Sequence, residues 1–155
     1  MSRKEVRIGI FDQLSGSGVL ALLGPVSPSN LRIYSAWPQV QPKLSQPSEA
    51  DEGWLTFHER NTGFGGVAPV REDFTFEFNI WATTFTLTED IVDIMDGLWH
   101  YKLAGHNSFL FGADRNVLWA ERQQAIDLYE EETKLYRKMV VYQYQTVKLP
   151  FRSGA

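Results

Sequence analysis

The side chains in this sequence that could hold a metal ion or move protons are three histidines and the carboxylates near them. The histidines are His58, His100 and His106. Asp96 and His100 are four positions apart, so on a helix they share a face and could both touch one metal ion. A zinc or iron site needs three or four converging ligands. Because the spacing supplies only two, we predict no metal site and interpret the two residues as a helix-end ion pair and a solvated histidine.

A short glycine–serine segment is the other pattern that could serve chemistry. Gly16, Ser17 and Gly18 precede an apolar run, and backbone N–H groups at the start of a helix can bind phosphate. The segment lacks the Gly-Lys-Ser/Thr ending of a P-loop and the Gly-x-Ser-x-Gly spacing of a serine nucleophile. The sequence has no cysteine, which excludes thiolate metal sites and cysteine nucleophiles. We therefore interpret the segment as a flexible helix junction and expect no enzyme and no cofactor.

Residues 73–82 form the clearest strand pattern in the chain. Their side chains alternate with period two, which is typical of a strand with one face on a core and the other near water. The predicted core face carries Phe74, Phe76, Phe78, Ile80 and Ala82.

A helix pattern follows directly after that strand. Thr88 is a predicted N-cap, with Glu89 and Asp90 in the first turn, where acidic residues are favourable. The apolar stripe of this helix consists of Ile91, Ile94, Met95, Leu98 and Trp99. A strand that continues into an amphipathic helix through a short link predicts a helix packed on a sheet.

The remaining segments complete an α+β prediction. Residues 1–30 form an N-terminal helical segment with an apolar face of Val6, Ile10, Phe11 and Leu14. Residues 31–149 form the α+β core, with strands near 31–35, 53–59, 108–111 and 136–149. Residues 117–129 either form the first arm of a hairpin or, from the helix propensity of residues 120–125, a helix. Residues 150–155 are expected to be a flexible tail. We thus predict a single domain, with an antiparallel sheet of four to five strands packed against helices.

The glycine-rich connection at residues 60–72 is predicted to be a long loop or hairpin arm. Connections of this length in compact domains are usually functional or disordered. It contains Gly63, Phe64, Gly65, Gly66, Val67 and Arg71. Either this connection is a disordered tip, or it becomes ordered against another chain.

Composition limits the classes of partner. The chain has 155 residues, of which 43% are hydrophobic, and a formal net charge of -4. That charge argues against a protein whose main work is to grip nucleic-acid phosphates, which requires clustered Lys and Arg. No apolar run approaches the length that crosses a membrane. These features favour an intracellular protein with no membrane partner.

The order of the segments resembles a known family. The stretches that carry the resemblance are residues 31–34 (LRIY), 53–58 (GWLTFH), 73–82 (DFTFEFNIWA), 90–99 (DIVDIMDGLW) and 137–144 (RKMVVYQY). This layout is similar to that of the tail terminator proteins (tail-completion or head–tail joining proteins) of long-tailed bacteriophages. The resemblance depends on layout and apolar pattern across residues 31–147 and includes no catalytic motif.

The resemblance implies a structural virion protein that forms a homohexameric ring. Such a ring caps the tail tube and offers a surface to the head-completion or connector protein, while DNA passes through it as cargo. It would act in the virion tail or neck after assembly in the host cytoplasm. The glycine-rich residues named above would then contact a neighbour, and Glu130, Glu131 and Glu132 would face the channel. Two alternatives stay open: another neck or tail-tube subunit, and a small cytosolic α+β enzyme or ligand-binding domain with a pocket near Asp96, His100 and His58.

Overall fold

The computed structural model describes residues 3–28, 30–36, 51–64, 71–100, 102–103, 109–111 and 115–148. In chain order, its elements are α1 (Arg3–Gly16), α2 (Val19–Leu23), β1 (Ile33–Ser35), β2 (Gly53–Phe64), β3 (Arg71–Ala82), α3 (Phe85–Trp99), β4 (Lys102–Leu103), β5 (Phe109–Phe111), β6 (Arg115–Glu130) and β7 (Leu135–Lys148). The predicted tail at 150–155 and His106 lie outside the described residues.

All the described strands belong to one mixed sheet. The strand order is β1-β2-β3-β7-β6-β4, and β5 also pairs with β6. The four long strands β2, β3, β7 and β6 are antiparallel neighbours, whereas β1 pairs with β2 in parallel. The α+β prediction is confirmed, and the predicted four to five strands correspond to the four long strands with β1. The parallel pairing differs from the predicted antiparallel sheet; parallel neighbours need a connection of about a dozen residues or more, and residues 36–52 are long enough.

The helices cover one face of the sheet, which we call the helix face. Side chains of α1, α2 and α3 share one hydrophobic cluster with Phe57, Phe78 and Tyr142 of the sheet. The predicted core face of β3 is confirmed, since all five of its side chains are 0% exposed. The opposite face of β3 was expected to lie near water, but two of its side chains, Trp81 and Asn79, are also buried. Within the described part of the chain, no helix is long and apolar enough to span a bilayer.

The N-terminal helices agree with the amphipathic pattern except at one position. Val6, Ile10 and Leu14 are fully buried. Phe11, which was predicted on the same face, is 40% exposed and points away from the core. The glycine–serine junction separates α1 from α2, and Gly18 has a φ of 95°. That value lies in the left-handed region that favours glycine, so the chain turns here at little cost.

Helix α3 begins earlier than the sequence predicted. The N-cap is Thr84 and not Thr88: the Thr84 side chain accepts a hydrogen bond from the backbone N–H of Leu87. Thr88 is fully buried, and its hydroxyl donates to the carbonyl of Phe85. The prediction missed this start because it assigned Phe85 and Leu87 to the link, although Leu87 is buried as part of the packed face. Glu89 therefore lies beyond the first turn.

The long hairpin at the end of the chain resolves the ambiguity at residues 117–129. This segment belongs to strand β6, which pairs with β7 along nearly its whole length. The local helix propensity is overridden because β7 supplies a complete ladder of hydrogen bonds.

The connection between β2 and β3, predicted to span residues 60–72, is shorter than expected. Strand β2 continues to Phe64 and β3 begins at Arg71, which leaves residues 65–70 outside the described chain.

Candidate functional site

The predicted pair Asp96 and His100 lies in a network that joins α3 to the hairpin. Asp96 Oδ2 accepts a hydrogen bond of 2.6 Å from Arg122, and Asp96 Oδ1 accepts one of 2.6 Å from the hydroxyl of Tyr142. His100 Nδ1 accepts a 3.0 Å hydrogen bond from the backbone N–H of Arg122. Both carboxylate oxygens of Asp96 and one ring nitrogen of His100 thus have a partner on β6 or β7. This arrangement anchors the C-terminal end of α3, and it engages both oxygens of the Asp96 carboxylate.

Electrostatics agrees with a structural role for this network. Burial, together with the hydrogen bond to Asp96 and its negative charge, raises the pKa of Tyr142 far above its ordinary value. Burial also raises the pKa of Tyr144. A tyrosine held neutral in this way is a poor general base at neutral pH. Among the described residues, no group of three or more His, Asp or Glu side chains could hold a metal ion.

His58 does not join Asp96 and His100. It lies on β2 on the opposite face of the sheet, where its Nε2 is 3.6 Å from Glu77 Oε2. Glu77 also accepts a hydrogen bond from Asn79, whose side-chain oxygen in turn accepts two from Arg137. The pocket that the enzyme alternative requires near the three predicted residues is therefore not formed.

The opposite face carries an aromatic cluster next to this polar row. The rings of Trp54 and Trp81 stack at 4.0 Å, and the guanidinium of Arg137 lies 5.0 Å from the Trp81 ring. Trp81 Nε1 donates a 3.0 Å hydrogen bond to Glu130 Oε1. Trp54 and Trp81 are almost fully buried, so they are not available as a stacking platform for nucleic-acid bases.

A groove lies at the β1 end of the sheet, which we call the edge groove. It has a volume of about 250 Å³. The groove is lined by Arg7 of α1, Ser35 and Ala36 at the end of β1, and Phe57, His58 and Glu59 of β2. It combines one apolar ring with ionisable groups of both signs, and it lies open to solvent at the border of the sheet.

The turn of the β6–β7 hairpin is the other conspicuous surface, and we call residues 128–132 the hairpin tip. Leu128 and Tyr129 are 43% and 47% exposed, although both are large and apolar. Glu131 and Glu132 follow them and are also exposed. Strand β6 pairs with β4 and β5 only through residues 115–117, 119 and 120. On the side away from β7, its residues 121–130 pair with no other described strand and form an outer edge.

The residues predicted to contact a neighbour are only partly described. Gly63 and Phe64 lie in β2, where they pair with Asp73 and Glu72, and Arg71 lies in β3 opposite Val147. Gly65, Gly66 and Val67 lie outside the described residues. The role of all six residues at a subunit interface remains a prediction.

The three glutamates predicted to face a channel are not equivalent. Glu130 is half-buried and accepts hydrogen bonds from Trp81 and from the hydroxyl of Thr133. Glu131 and Glu132 point to solvent at the turn. The channel-facing role stays a prediction for all three, but only the last two offer a free carboxylate.

Sequence reasoning missed the partners of Asp96 and the exposed pair Leu128 and Tyr129. Arg122 lies 26 residues from Asp96 in the sequence and Tyr142 lies 46 away, so no local spacing connects them. A signal for the exposed pair was present. In a strand, two consecutive large apolar residues point to opposite faces, so a core on one face cannot bury both.

The fold has a counterpart among solved structures. A chain from the virion of a native gene transfer agent (GTA) particle superposes with a TM-score of 0.58, and the alignment covers 91% of this chain and 93% of that chain. The two sequences are 12% identical, so the likeness shows a shared fold and no more. No protein-family model matches the sequence, and no curated protein matches it.

Proposed function

We propose that this chain is a structural virion protein that works through assembly and not through catalysis. The observation that carries the proposal is the fold shared with a chain of a gene transfer agent virion over nine-tenths of both chains. Because a fold alone does not give a function, the proposal also depends on the site. Among the described candidates for an active site, Asp96 and His58 are engaged in structural contacts on two different faces of the sheet.

We further propose that the protein is a tail terminator, which forms a six-membered ring on the end of a tail tube. The order of its segments resembles that family, and the helices and strands follow one another along the chain in the order from which the resemblance was inferred. The described sheet also has two dissimilar edges, one at β1 and one formed by β4, β5 and the outer side of residues 121–130 in β6. Dissimilar edges favour head-to-tail contacts between copies, and such contacts produce a ring when the rotation closes.

The partners follow from that role. In this proposal the ring contacts the tail tube protein on one side and the head-completion or connector protein on the other. DNA passes through as cargo, and a net charge of -4 suits a channel that must not grip phosphates. The protein would act in the virion neck after assembly in the host cytoplasm, with no membrane partner and no cofactor. The residues around Gly63 and Phe64 are proposed to reach a neighbouring subunit.

Electron microscopy of the purified chain, alone and mixed with assembled phage tail tubes, tests the proposal. We expect single rings with a central hole, and in the mixture we expect rings at the ends of tubes, with tubes that stop growing once capped. Long tubes formed by this chain alone would identify it as a tail-tube subunit and overturn the terminator assignment.

A second measurement distinguishes an assembly protein from an enzyme or ligand-binding domain. We expect light scattering to show a discrete oligomer at high concentration or in the presence of tubes. A chain that stays monomeric under both conditions, and whose melting temperature rises with a metal ion or small metabolite, would overturn the assembly proposal. Ligand binding to the folded state alone raises stability in proportion to the logarithm of ligand concentration, so this effect is readily measured.

A further inference from the structure

The two edges of the sheet present surfaces of different shape. The edge groove at the β1 end is concave, and the hairpin tip at the β6 end is convex and carries two exposed apolar side chains. Natural proteins usually protect an open strand edge by charge, proline or a bulge, or they cover it. Strand β6 has register shifts at 117–119 and 122–124, but residues 125–130 continue the ladder regularly up to the turn. The end of the hairpin thus exposes apolar side chains beside an open edge.

The two surfaces also differ in charge, with exposed carboxylates at the tip and arginines at the groove. The hairpin tip ends in Glu131 and Glu132, both exposed. At the edge groove, Arg7 is exposed and makes no ion pair with any described residue. Arg60 lies one residue beyond the groove, is 49% exposed, and comes no nearer than 3.9 Å to its acidic neighbour Glu77. Glu59 adds one negative charge to the groove, so the two arginines are the groups available to an incoming carboxylate.

We infer that the hairpin tip of one copy docks in the edge groove of the next copy. In this contact the tip glutamates meet Arg7 and Arg60, and Tyr129 approaches Ala36, which is exposed at the rim of the groove. The inference deepens the proposed function, on which it depends, by naming the two surfaces that join ring subunits. It gives Glu131 and Glu132 a role at the subunit boundary in place of the channel wall.

The topology makes this contact head-to-tail. The groove lies at β1 and β2 and the tip at the end of the β6–β7 hairpin, with β3 between β2 and β7, so one chain cannot dock its own tip in its own groove. Each copy therefore offers one tip and accepts one tip. Such a heterologous contact repeats from copy to copy and closes into a ring when the rotation allows.

Charge reversal at each surface tests the contact. The tip variant carries Glu131→Lys and Glu132→Lys, and the groove variant carries Arg7→Glu and Arg60→Glu. Either variant alone places like charges across every boundary, so we expect its self-association to weaken at least about tenfold. In a mixture of the two, every boundary of an alternating ring has opposite charges again. We therefore expect the mixture to recover rings with equal amounts of both variants, measured by mass photometry and native mass spectrometry.

A matched control separates this contact from a general effect of charge. Glu89→Lys with Asp93→Lys makes the same change in net charge as the tip variant, on the exposed side of α3 and away from both surfaces. We expect this variant to assemble like the natural sequence. Circular dichroism and thermal melting of all variants check that each is folded. If the control weakens assembly as much as the tip variant does, or if mixing fails to recover rings, the docking contact is wrong.

Cysteine cross-linking tests the same contact when association is weak. The chain has no natural cysteine, so a pair can be introduced without interference. Oxidation of Arg7→Cys combined with Glu132→Cys is expected to give a ladder of covalent oligomers up to the ring, whereas Asp93→Cys combined with Glu132→Cys should not. If the natural sequence forms rings but the first pair gives no ladder, the contact is overturned while the ring stands. If no condition gives rings and neither pair gives a ladder, both proposals fail.

Discussion

The hydroxyl of Tyr142 donates a 2.6 Å hydrogen bond to Asp96 and thereby joins the last turn of α3 to the centre of the sheet. Arg122 approaches the other oxygen of the same carboxylate at 2.6 Å. One aspartate thus satisfies a phenol on β7 and a guanidinium on β6. The hairpin is held against the helix by this carboxylate as well as by packing, which fixes the direction in which the hairpin tip projects.

Replacing Asp96 with alanine should destabilise the protein by about 2–4 kcal/mol, since the buried hydroxyl of Tyr142 and the partly buried Arg122 both lose a charged partner. Urea denaturation followed by circular dichroism measures the change. The matched control is Asp93→Ala, an exposed aspartate on the same helix. We expect that control to lie within about 0.5 kcal/mol of the natural sequence, and equal losses in the two variants would refute the role given to Asp96.

Stability should fall as the pH rises above the range in which free tyrosines titrate. Burial raises the pKa of Tyr142 and of Tyr144 in the folded state. Above about pH 10 the unfolded chain releases protons that the folded chain keeps, so the unfolding free energy decreases with pH. Each such tyrosine contributes a slope of about 1.4 kcal/mol per pH unit. Urea denaturation between pH 9 and 11 should therefore show a shallower decline for Tyr142→Phe.

The control for this pH dependence is Tyr129→Phe. That side chain is 47% exposed, and its replacement removes a tyrosine without changing the interior. Its stability curve should run parallel to that of the natural sequence across the same pH range. If both replacements flatten the curve equally, the decline does not arise from the buried tyrosines.

Two glycine replacements should have opposite effects. A Cβ at Gly53 would overlap the backbone carbonyl of Trp81 on the adjacent strand, which neither strand can avoid without moving. We expect Gly53→Ala to cost more than about 3 kcal/mol, as overpacking of a rigid site does. Gly97 lies on the exposed side of α3, where a Cβ meets nothing within 4 Å. Gly97→Ala should stabilise the protein by up to about 1 kcal/mol through helix propensity.

Thermal melting of the two glycine variants provides the comparison. A melting temperature that falls for Gly97→Ala, or one that is unchanged for Gly53→Ala, would contradict the packing described for β2, β3 and α3.

The parts of the fold that were predictable are those in which local pattern and burial agree. Strand β3 alternates between core and opposite face, and its core residues are all buried. Strand β6 could not be assigned with the same clarity. Its middle residues Gln123 and Gln124 are exposed and polar, and the strand exists because β7 supplies its hydrogen bonds. A long-range partner of this kind leaves little trace in the local sequence.

The site was predictable only in its local part. Asp96 and His100 do lie near each other, because four residues make about one turn of helix. The arginine that binds Asp96 could not be found from spacing, since its position depends on the register of β6 against β7. The same holds for the proximity of Arg7 and Phe57 in the edge groove, which results from the packing of α1 beside β1.

The start of α3 gives a further test of the structure against the sequence pattern. Thr84 caps the helix by accepting a hydrogen bond from Leu87, so Thr84→Ala should cost about 1 kcal/mol, whereas Thr84→Ser should keep most of the stability. Thr88, the position that the pattern favoured, makes no cap. Its hydroxyl donates to the carbonyl of Phe85. Glu89 and Asp90 gain little from the helix dipole because they lie beyond the first turn. Urea denaturation of the three variants Thr84→Ala, Thr84→Ser and Thr88→Ser decides between the two starts. Thr88→Ser keeps its hydroxyl and loses one buried methyl group, so we expect a cost of about 1 kcal/mol from packing alone. A Thr84→Ala variant as stable as the natural sequence would show that the helix begins at the later residue.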